Sequence, residues 1–429
     1  MRELAEVPGI HFITYDTIFE YQPMHKLDPE RYHEFVSGYL NNHLTARLLD
    51  REGYLPKYGI GIHNAFTYYT QAAYHILSFL IEKEISFIYF RFTPHESIEW
   101  ILGNAAEFLN IDVYATEVFI FPWLYTLKKG FMRHTVDVFK ELHSEDTEES
   151  YRAHIRKYVG IIKGNYDNAM PSYEKNRFGK GPYKYFNPFN DPKGVITKPH
   201  KFLNTAYNYA FYKKRSEFLD LKNTNYAVFF LHYQPERTTM PEGYEFVDQV
   251  YAAKMISLLL PEGTRLLVKE HPSMFTRQSE PKFRSVKSYQ LLADLPNVSL
   301  CPMELDNFSL VDNSQVVITI NGTVALEAFI RKIPVITLGR SNLKVEGVHS
   351  FSTIPELQKF VHAVFSGKIR IWNIEEQLLS LTFGNSISGL ESSAEDTADY
   401  YLKYDFQEVA NYKLLTKLLT QEVKWPETS

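Results

Sequence analysis

The chain has 429 residues, more than one hydrophobic core usually holds, which predicts at least two domains. Its 46 basic and 51 acidic residues give a net charge of −5, which excludes nucleic-acid binding through bulk positive charge. The single cysteine, Cys301, excludes an intrachain disulfide and a cysteine-rich metal site, and it favours a reducing cytoplasm.

Two observations bear on the membrane. The first ten residues, MRELAEVPGI, lack the long apolar segment of a signal peptide, and no apolar run reaches the roughly 18 residues of a spanning helix. We therefore expect a cytoplasmic protein. Peripheral association with the cytoplasmic face of the inner membrane, or with a polysaccharide assembly complex, is compatible with this composition.

Strands and helices alternate in the first part of the chain. The predicted elements are a strand at 9–15, helices at 28–56 and from GIGIHNAF (59–66) to about 83, a strand at 85–92, a helix at 98–109 and the strand IDVYATEV. This alternation indicates a parallel α/β sheet, and we assign residues 1–130 to an N-terminal Rossmann-like domain on the acceptor side.

The middle of the chain is less periodic. It contains charged helices at 137–163, an aromatic loop at 176–194 and a basic helix at 201–221. We interpret residues 131–222 as a helical and loop insertion with an interdomain linker. Residues 369–429 are predicted to be helices that pack across both domains.

A second alternating pattern follows the linker. YAVFF, TRLLVK, NVSL and VVITI read as strands, with an amphipathic helix at 246–260. Apolar runs of this kind are typical of parallel strands that are buried on both faces. Residues 223–368 are therefore predicted to form a second doubly wound domain.

Residues 316–339, VVITINGTVALEAFIRKIPVITLG, read as strand, glycine turn, helix and strand. Such a turn directs backbone N–H groups and the positive end of a helix at one point, which suits a phosphate. Glu327 follows closely enough to reach a sugar hydroxyl of the same ligand. The alternative is an ordinary strand–helix junction with a surface glutamate.

Polar residues cluster where three strands of the second domain end, and in open α/β sheets ligands bind at these carboxyl ends. The clusters are His232, Gln234 and Glu236; Lys269, Glu270, His271 and Pro272; and Asn321, Gly322 and Thr323. A histidine at a strand end can also simply satisfy a carbonyl, but three clusters on one sheet edge favour a site.

Within these clusters, a cationic His271 beside Glu270 suits the charge of a phosphate leaving group. Glu236 is the candidate base or charge stabiliser, and its alternative is a helix-capping or salt-bridged carboxylate, for instance with Arg237. Lys269 points to the opposite face of the strand and is secondary.

In the first domain, His95 and Glu96 follow a strand. We expect them to face the cleft between the domains, where Glu96 is a second candidate for the catalytic carboxylate. The alternative is a helix N-terminus capped by Thr93 or Ser97.

Several motifs are missing from the sequence: H-E-x-x-H, a His/Cys metal spacing, G-x-x-x-x-G-K-[ST], G-x-S-x-G and D-x-D. We therefore expect no metal site and no cofactor. Without a metal ion, backbone N–H groups, a helix dipole and cationic side chains would stabilise the negative charge of a phosphate leaving group.

Three segments, LHYQPERTT, LLVKEHP and TINGTVALEAFIRKIPVITLG, resemble bacterial capsule-polysaccharide and surface-carbohydrate biosynthesis glycosyltransferases, which include the capsular β-Kdo transferases. The resemblance is specific over residues 226–339. IYFRFTPHES and IDVYATEVFIFP add weaker similarity, and residues 130–209 show none.

This resemblance implies a GT-B-like fold, with two Rossmann-like doubly wound domains facing across a cleft and the nucleotide sugar bound mainly by the second. His271 and Pro272 would lie at the donor phosphate, Gly322 and Thr323 would cradle it, and Glu327 would lie near the ribose. Gln234 and Glu236 would lie near the sugar. The Kdo transferases use a CMP-linked donor, and related members use UDP- or GDP-sugars.

The resulting hypothesis is a metal-independent glycosyltransferase that transfers a sugar, from CMP-Kdo or a similar donor, to a capsular or surface glycan or a glycolipid. Its donor site would comprise Gln234, Lys269, Glu270, Pro272, Asn321, Gly322, Thr323 and Glu327; its catalytic groups Glu236, His271 and Glu96; and its acceptor side His95 and His232. The alternatives are a teichoic-acid-like polyol-phosphate transferase and a nucleotide-sugar-binding component without turnover.

Overall fold

The structure, a computed structural model, describes residues 18, 20–40, 42–52, 65–90, 92–121, 124–132, 135–137, 147–164, 199–275, 283–383 and 385–388. These residues divide into two compact units. The first unit contains the described residues up to 137 together with 385–388, and the second contains residues 147–383. The predicted strand at 9–15 and most of GIGIHNAF lie outside the described residues.

The first unit combines four helices with a small sheet. Its helices are α1 (Pro29–Phe35, continued by the π-helical turn Val36–Leu40), α2 (His43–Glu52), α3 (Ala65–Glu82) and α4 (Ser97–Phe108). Its strands are β1 (Phe87–Phe90), β2 (Asp112–Val118), β3 (Leu124–Lys129), β4 (Val136–Asp137) and, from the far end of the chain, β11 (Ile387–Ser388). Helices α3 and α4 cover β1 and β2 with a continuous apolar core.

The sheet of the first unit is mixed. Strands β1 and β2 are parallel, as the alternation predicts, but β3 pairs antiparallel with β2, β4 and β11. Only five residues separate β2 from β3, and a parallel crossover needs a dozen or more, so this pair must be antiparallel. The parallel pairing that the alternation predicts therefore holds for β1 and β2, whereas the antiparallel strands β3, β4 and β11 were not predicted.

The second unit has a longer element list. Its helices are α5 (Glu148–Lys163), α6 (Pro199–Arg215), α7 (Gln249–Leu259), α8 (Val286–Ala293), α9 (Asn307–Asp312), α10 (Val324–Ile330), α11 (Ile354–Phe365) and α12 (Ile374–Thr382), with 3-10 turns at Tyr244–Val247 and Pro272–Phe275. Its strands are β5 (Tyr226–Phe230), β6 (Arg265–Lys269), β7 (Val298–Leu300), β8 (Val316–Thr319), β9 (Val335–Thr337) and β10 (Val348–Ser350).

The six strands of the second unit form one parallel sheet in the order β10-β9-β8-β5-β6-β7. Counted along this unit, the order is 6-5-4-1-2-3, which is the strand order of a Rossmann fold. Strands β5, β6 and β8 are buried along nearly their whole length, as their uninterrupted apolar runs predict. The predicted α/β architecture is thus confirmed, with a wholly parallel sheet in the second unit.

The segments that we predicted as insertion and C-terminal helices are partly described. Helices α5 and α6 belong to the second unit, where α6 packs against α8 and α5 packs against α12. The domain boundaries at 130, 222 and 368, and the placement of two domains across a cleft, stay predictions. Among the described helices, none has both the length and the apolar character needed to cross a bilayer.

Candidate functional site

The candidate site lies where the strand order of the second sheet reverses. Strands β5 and β8 are neighbours, but from β5 the chain continues to β6 on one side, whereas from β8 it continues to β9 on the other side. In open α/β sheets the loops after two such strands diverge and leave a crevice, which is the usual place for a ligand. The residues after β5 and β8 are two of the three clusters that the sequence predicts.

His232, two residues beyond β5, spans this crevice. Its Nε2 lies 2.9 Å from Thr319 Oγ1 and accepts a hydrogen bond from the Asn321 amide at 3.3 Å. Gly322 donates its amide to Thr319 Oγ1 at 3.2 Å. A side chain at position 322 would place Cβ 2.9 Å from that hydroxyl and 3.1 Å from the imidazole, so the turn needs glycine. We had assigned His232 to the acceptor side and Asn321 to the donor site, whereas in the structure these two residues are in contact.

These contacts also change our expectation that the glycine turn offers free N–H groups to a phosphate. We expected free N–H groups at the glycine turn, but the amides of Asn321 and Gly322 already donate to His232 and Thr319. Thr323 is the first residue before α10, which has only seven residues. Glu327 lies in the first turn of this helix and is half-buried.

Glu236 lies beside His232, with Oε2 at 3.6 Å from Nδ1 of the ring. Its side chain keeps 45 % of its surface exposed. Partial burial acts to raise the pKa of Glu236, but contact with His232 and the charges of His232 and His271 outweigh it, so the pKa is lowered. The carboxylate is therefore ionised at neutral pH. Arg237, its alternative partner, lies instead beside Glu242 at 3.4 Å.

His271 follows β6, the strand that pairs with β5, and its charge contributes to the lowered pKa of Glu236. Its Nδ1 accepts the Ser273 amide at 3.2 Å, so the neutral ring carries its proton on Nε2. Pro272 begins the 3-10 turn that supplies this amide. The tip of His271 is thus a donor, which suits a phosphate oxygen.

Two residues predicted at the donor have structural partners instead. The Lys269 ammonium donates to the carbonyls of Pro302, and of Leu305 at 3.1 Å, and the residue is 3 % exposed. The Glu270 carboxylate accepts the His271 amide at 2.8 Å and the Tyr289 hydroxyl at 2.9 Å. The geometry therefore does not support direct donor contacts for Lys269 and Glu270.

Glu270 holds the loops of the site in place through buried contacts. It forms a fully buried ion pair with Arg284, whose Nε lies 3.4 Å from Oε2, and Arg284 also donates to the His232 carbonyl at 3.3 Å. Burial and the neighbouring Glu270 charge raise the pKa of Tyr289, so its phenol stays protonated and donates. This network joins the loops after β5 and β6.

Other polar residues at this edge bond to one another. The Gln234 amide group donates to Thr239 Oγ1 at 2.6 Å, and Asn321 donates to the buried Glu242 at 3.1 Å. Sequence reasoning missed Glu242 and Arg284, since neither belongs to a motif nor follows a strand. It also missed Thr319, although a hydroxyl at the last position of a strand next to a glycine turn was a usable signal.

The candidates of the first unit lie at a helix N-terminus, as in our alternative interpretation, but Glu96 is the N-cap residue and Ser97 is the first residue of the helix. Glu96 is exposed and precedes α4, where Glu99 accepts the amides of His95 at 3.0 Å and Glu96 at 3.3 Å. Thr93 does not cap this helix but donates to the buried Glu117 at 3.0 Å. These contacts assign His95 and Glu96 a local structural role.

The residues described by the structure contain no group of three or more His, Cys, Asp or Glu side chains arranged to hold a metal ion. The candidate site therefore consists of two imidazoles, His232 and His271, one ionised carboxylate, Glu236, and the turn at 321–323.

Comparison with solved structures finds weak similarity. KpsC, beta Kdo 2,4 transferase, from Thermosulfurimonas dismutans aligns at 11% identity over 69% of this chain and 81% of that chain, with a TM-score of 0.33. KpsC, beta Kdo 2,7 transferase, from the same organism aligns at 9% identity over 73% of this chain and 79% of that chain, with a TM-score of 0.30. UDP-GlcNAc 2-epimerase from Methanocaldococcus jannaschii aligns at 15% identity over 79% and 93%, with a TM-score of 0.29. Because these scores are low, the fold assignment rests on the strand order.

Comparison of sequences is more specific. No curated protein sequence matches the chain. Residues 247–362, which run from the turn before α7 into α11, match the family model of capsule polysaccharide biosynthesis proteins. This stretch contains His271 and the turn at 321–323. The resemblance seen in the sequence is confirmed: residues 247–362 carry the signature of the capsule polysaccharide biosynthesis family.

Proposed function

We propose that this chain is a glycosyltransferase that takes a sugar from a nucleotide-sugar donor and transfers it to a capsular or surface glycan. The observation that carries the proposal is the pair His232 and Glu236 at the point of strand reversal of a Rossmann sheet, with His271 after the neighbouring strand β6. That crevice is where such sheets bind nucleotides. The family match of residues 247–362 supports the biological context.

In this proposal His271 donates from Nε2 to a donor phosphate oxygen. Its proton or positive charge stabilises the negative charge that develops on the leaving nucleotide, which is electrostatic catalysis by a preoriented donor. The amide of Ser273 and the turn that begins at Pro272 fix the orientation of the ring.

Glu236 is proposed to face the sugar. A general base works best when its pKa lies near the operating pH, and the pKa of Glu236 is lowered instead. We therefore assign Glu236 the stabilisation of positive charge at the anomeric carbon in preference to proton abstraction. Independence of metal ions is part of the proposal, and turnover in excess EDTA tests it.

The test is product formation by the purified protein with a panel of CMP-, UDP-, GDP- and CDP-linked sugars. We expect release of one nucleotide together with glycosylated acceptor, and loss of both in His271→Ala and Glu236→Gln. Unchanged transfer in both variants would refute the site. Phosphate retained on the product would indicate the polyol-phosphate transferase. Stabilisation by nucleotide without product would indicate a binding component.

We also propose that α6 makes peripheral contact with an anionic membrane surface. The helix contains no acidic residue and ends in Lys213, Lys214 and Arg215, while Leu203 and Tyr207 are each 64 % exposed. Basic and apolar exposure on one helix is typical of membrane-surface segments. Co-sedimentation with phosphatidylglycerol vesicles, but not with phosphatidylcholine vesicles, is expected. Equal pelleting by Lys213→Glu/Lys214→Glu would contradict the proposal.

A further inference from the structure

The contacts of His232 determine which of its nitrogens carries the proton. The Asn321 amide can only donate, and it points at Nε2 at 3.3 Å. The Thr319 hydroxyl lies 2.9 Å from the same nitrogen and already accepts the Gly322 amide. Its own hydrogen is therefore available for Nε2. Two donors converge on Nε2, so the neutral ring carries its hydrogen on Nδ1.

The backbone of His232 is held as firmly as its ring. Its amide donates to Gln249 Oε1 at 2.7 Å, and its carbonyl accepts from Gln249 Nε2 and from Arg284, each at 3.3 Å. Gly322 leaves room for the ring, because any Cβ there would approach Cε1 to 3.1 Å. His232 is 8 % exposed. Gln249 of α7 and Arg284 before α8 hold its backbone, and the end of β8 holds its ring, so it has one orientation.

In this orientation Nδ1–H faces Glu236, whose Oε2 lies 3.6 Å away. We propose that His232 is a positioning residue, held by the β8 turn in its Nδ1–H form so that it orients the Glu236 carboxylate. Through this contact, the position of the turn at 319–322 determines the orientation of the Glu236 carboxylate. Its effect on turnover rests on the proposed function, whereas its tautomer and its contact with Glu236 do not.

Imidazole 15N spectra of 15N-histidine-labelled full-length protein test the contact without any substrate. His232→Asn assigns the signal by its loss. In spectra recorded at a pH at which the ring is neutral, we expect its proton on Nδ1, and a changed Nδ1 shift in Glu236→Gln. Protonation on Nε2, or a spectrum indifferent to Glu236→Gln, would overturn the proposal. This result stands even when no donor is turned over.

Thr319→Val tests the origin of the tautomer, with Thr337→Val as the matched control. Thr337 is the buried final residue of the neighbouring strand β9 and bonds Ser350 at 3.1 Å. We expect Thr319→Val to weaken the Nδ1–H preference of His232 and Thr337→Val to leave it unchanged. Equal spectra in both variants would contradict the role of the β8 turn.

Turnover separates positioning from simple structural support. Asparagine places a donor where Nδ1 lies, whereas glutamine replaces only Nε2, so His232→Asn should retain more activity than His232→Gln. For His232→Gln we expect kcat to fall about 10- to 100-fold with little change in donor Kd. In a Glu236→Gln background the same change should have less than about a twofold effect, because the group it orients is gone. Equal losses in both backgrounds would refute positioning.

Discussion

His95 and Glu96 follow β1 in the first unit, and His232 and Glu236 follow β5 in the second. In the first unit the backbone amides bond to Glu99 of the helix that begins there, so the cluster is a helix start. In the second, His232 bonds to the end of β8, a strand 87 residues further along. The partners of the first pair thus come from the next helix along the chain, and those of the second from a strand that is distant in sequence.

The largest expected difference between these clusters is in turnover. Glu236→Gln should lower kcat about 10²- to 10³-fold, the usual cost of losing one group that stabilises transition-state charge. Glu96→Gln should change kcat by no more than about a factor of two. Glu96 is exposed, and an exposed substitution usually changes the free energy of unfolding by about 0.5 kcal/mol or less. Steady-state kinetics with the active donor measure both. A large loss in Glu96→Gln alone would reverse the assignment.

The single thiol, Cys301, reports on the second unit by itself. Burial raises the pKa of Cys301 from 9.0 to about 12, a change that the nearby Lys269 charge opposes. Alkylation requires the thiolate, and these three pKa units (12 − 9 = 3) make it about 1,000-fold slower in the folded unit at pH 8. Iodoacetamide labelling against a urea-unfolded control measures this.

The same thiol sets a pH dependence. Its pKa is raised on folding, so its contribution to stability is complete below about 9 and is lost as the pH rises toward about 12. Cys301→Ser should remove this part of the alkaline loss. Rapid labelling of the folded protein at pH 8 would contradict the burial.

Removing one partner of the buried ion pair Glu270–Arg284 should destabilise the second unit strongly. Glu270→Gln leaves Arg284 uncompensated in the core and should lower the free energy of unfolding by about 3–5 kcal/mol. The matched exposed pair joins Arg215 and Asp294 at 3.1 Å, and Asp294→Asn should cost about 1 kcal/mol or less. Urea unfolding followed by Cys301 labelling gives both values; equal losses would refute the distinction.

The smallest of these effects is the change in unfolding free energy expected at the glycine turn. Gly322→Ala should cost about 1–3 kcal/mol of unfolding free energy, because the new Cβ crowds Thr319 and His232. Gly160, exposed within α5, has nothing within 4 Å of a Cβ, and Gly160→Ala should stabilise by up to about 1 kcal/mol. Thermal unfolding distinguishes the signs. A neutral Gly322→Ala would indicate that the turn tolerates a side chain.

The sequence predicted local features of the second unit well. The β-branched run at 316–319, the glycine turn and the helix start at Val324 all follow from neighbouring residues, and the structure places them there. The meeting of the clusters after β5 and β8 also followed, since the carboxyl ends of parallel strands share one sheet edge.

What the sequence did not predict depends on distant partners. Nothing near Arg284 indicates its pair with Glu270, and nothing near Lys269 indicates the carbonyls that bind it. Occupation of the Asn321 and Gly322 amides by His232 and Thr319 is likewise set by packing across strands. The antiparallel strand β3 was within reach, because five residues cannot form a parallel crossover.

The most direct test is a crystal structure of the protein soaked with the nucleotide that stabilises it most. The nucleotide phosphate should lie at the carboxyl ends of β5, β6 and β8, within hydrogen-bond distance of His271, with Glu236 beside the sugar position. A phosphate bound at another edge of the sheet, or in the first unit, would contradict the account.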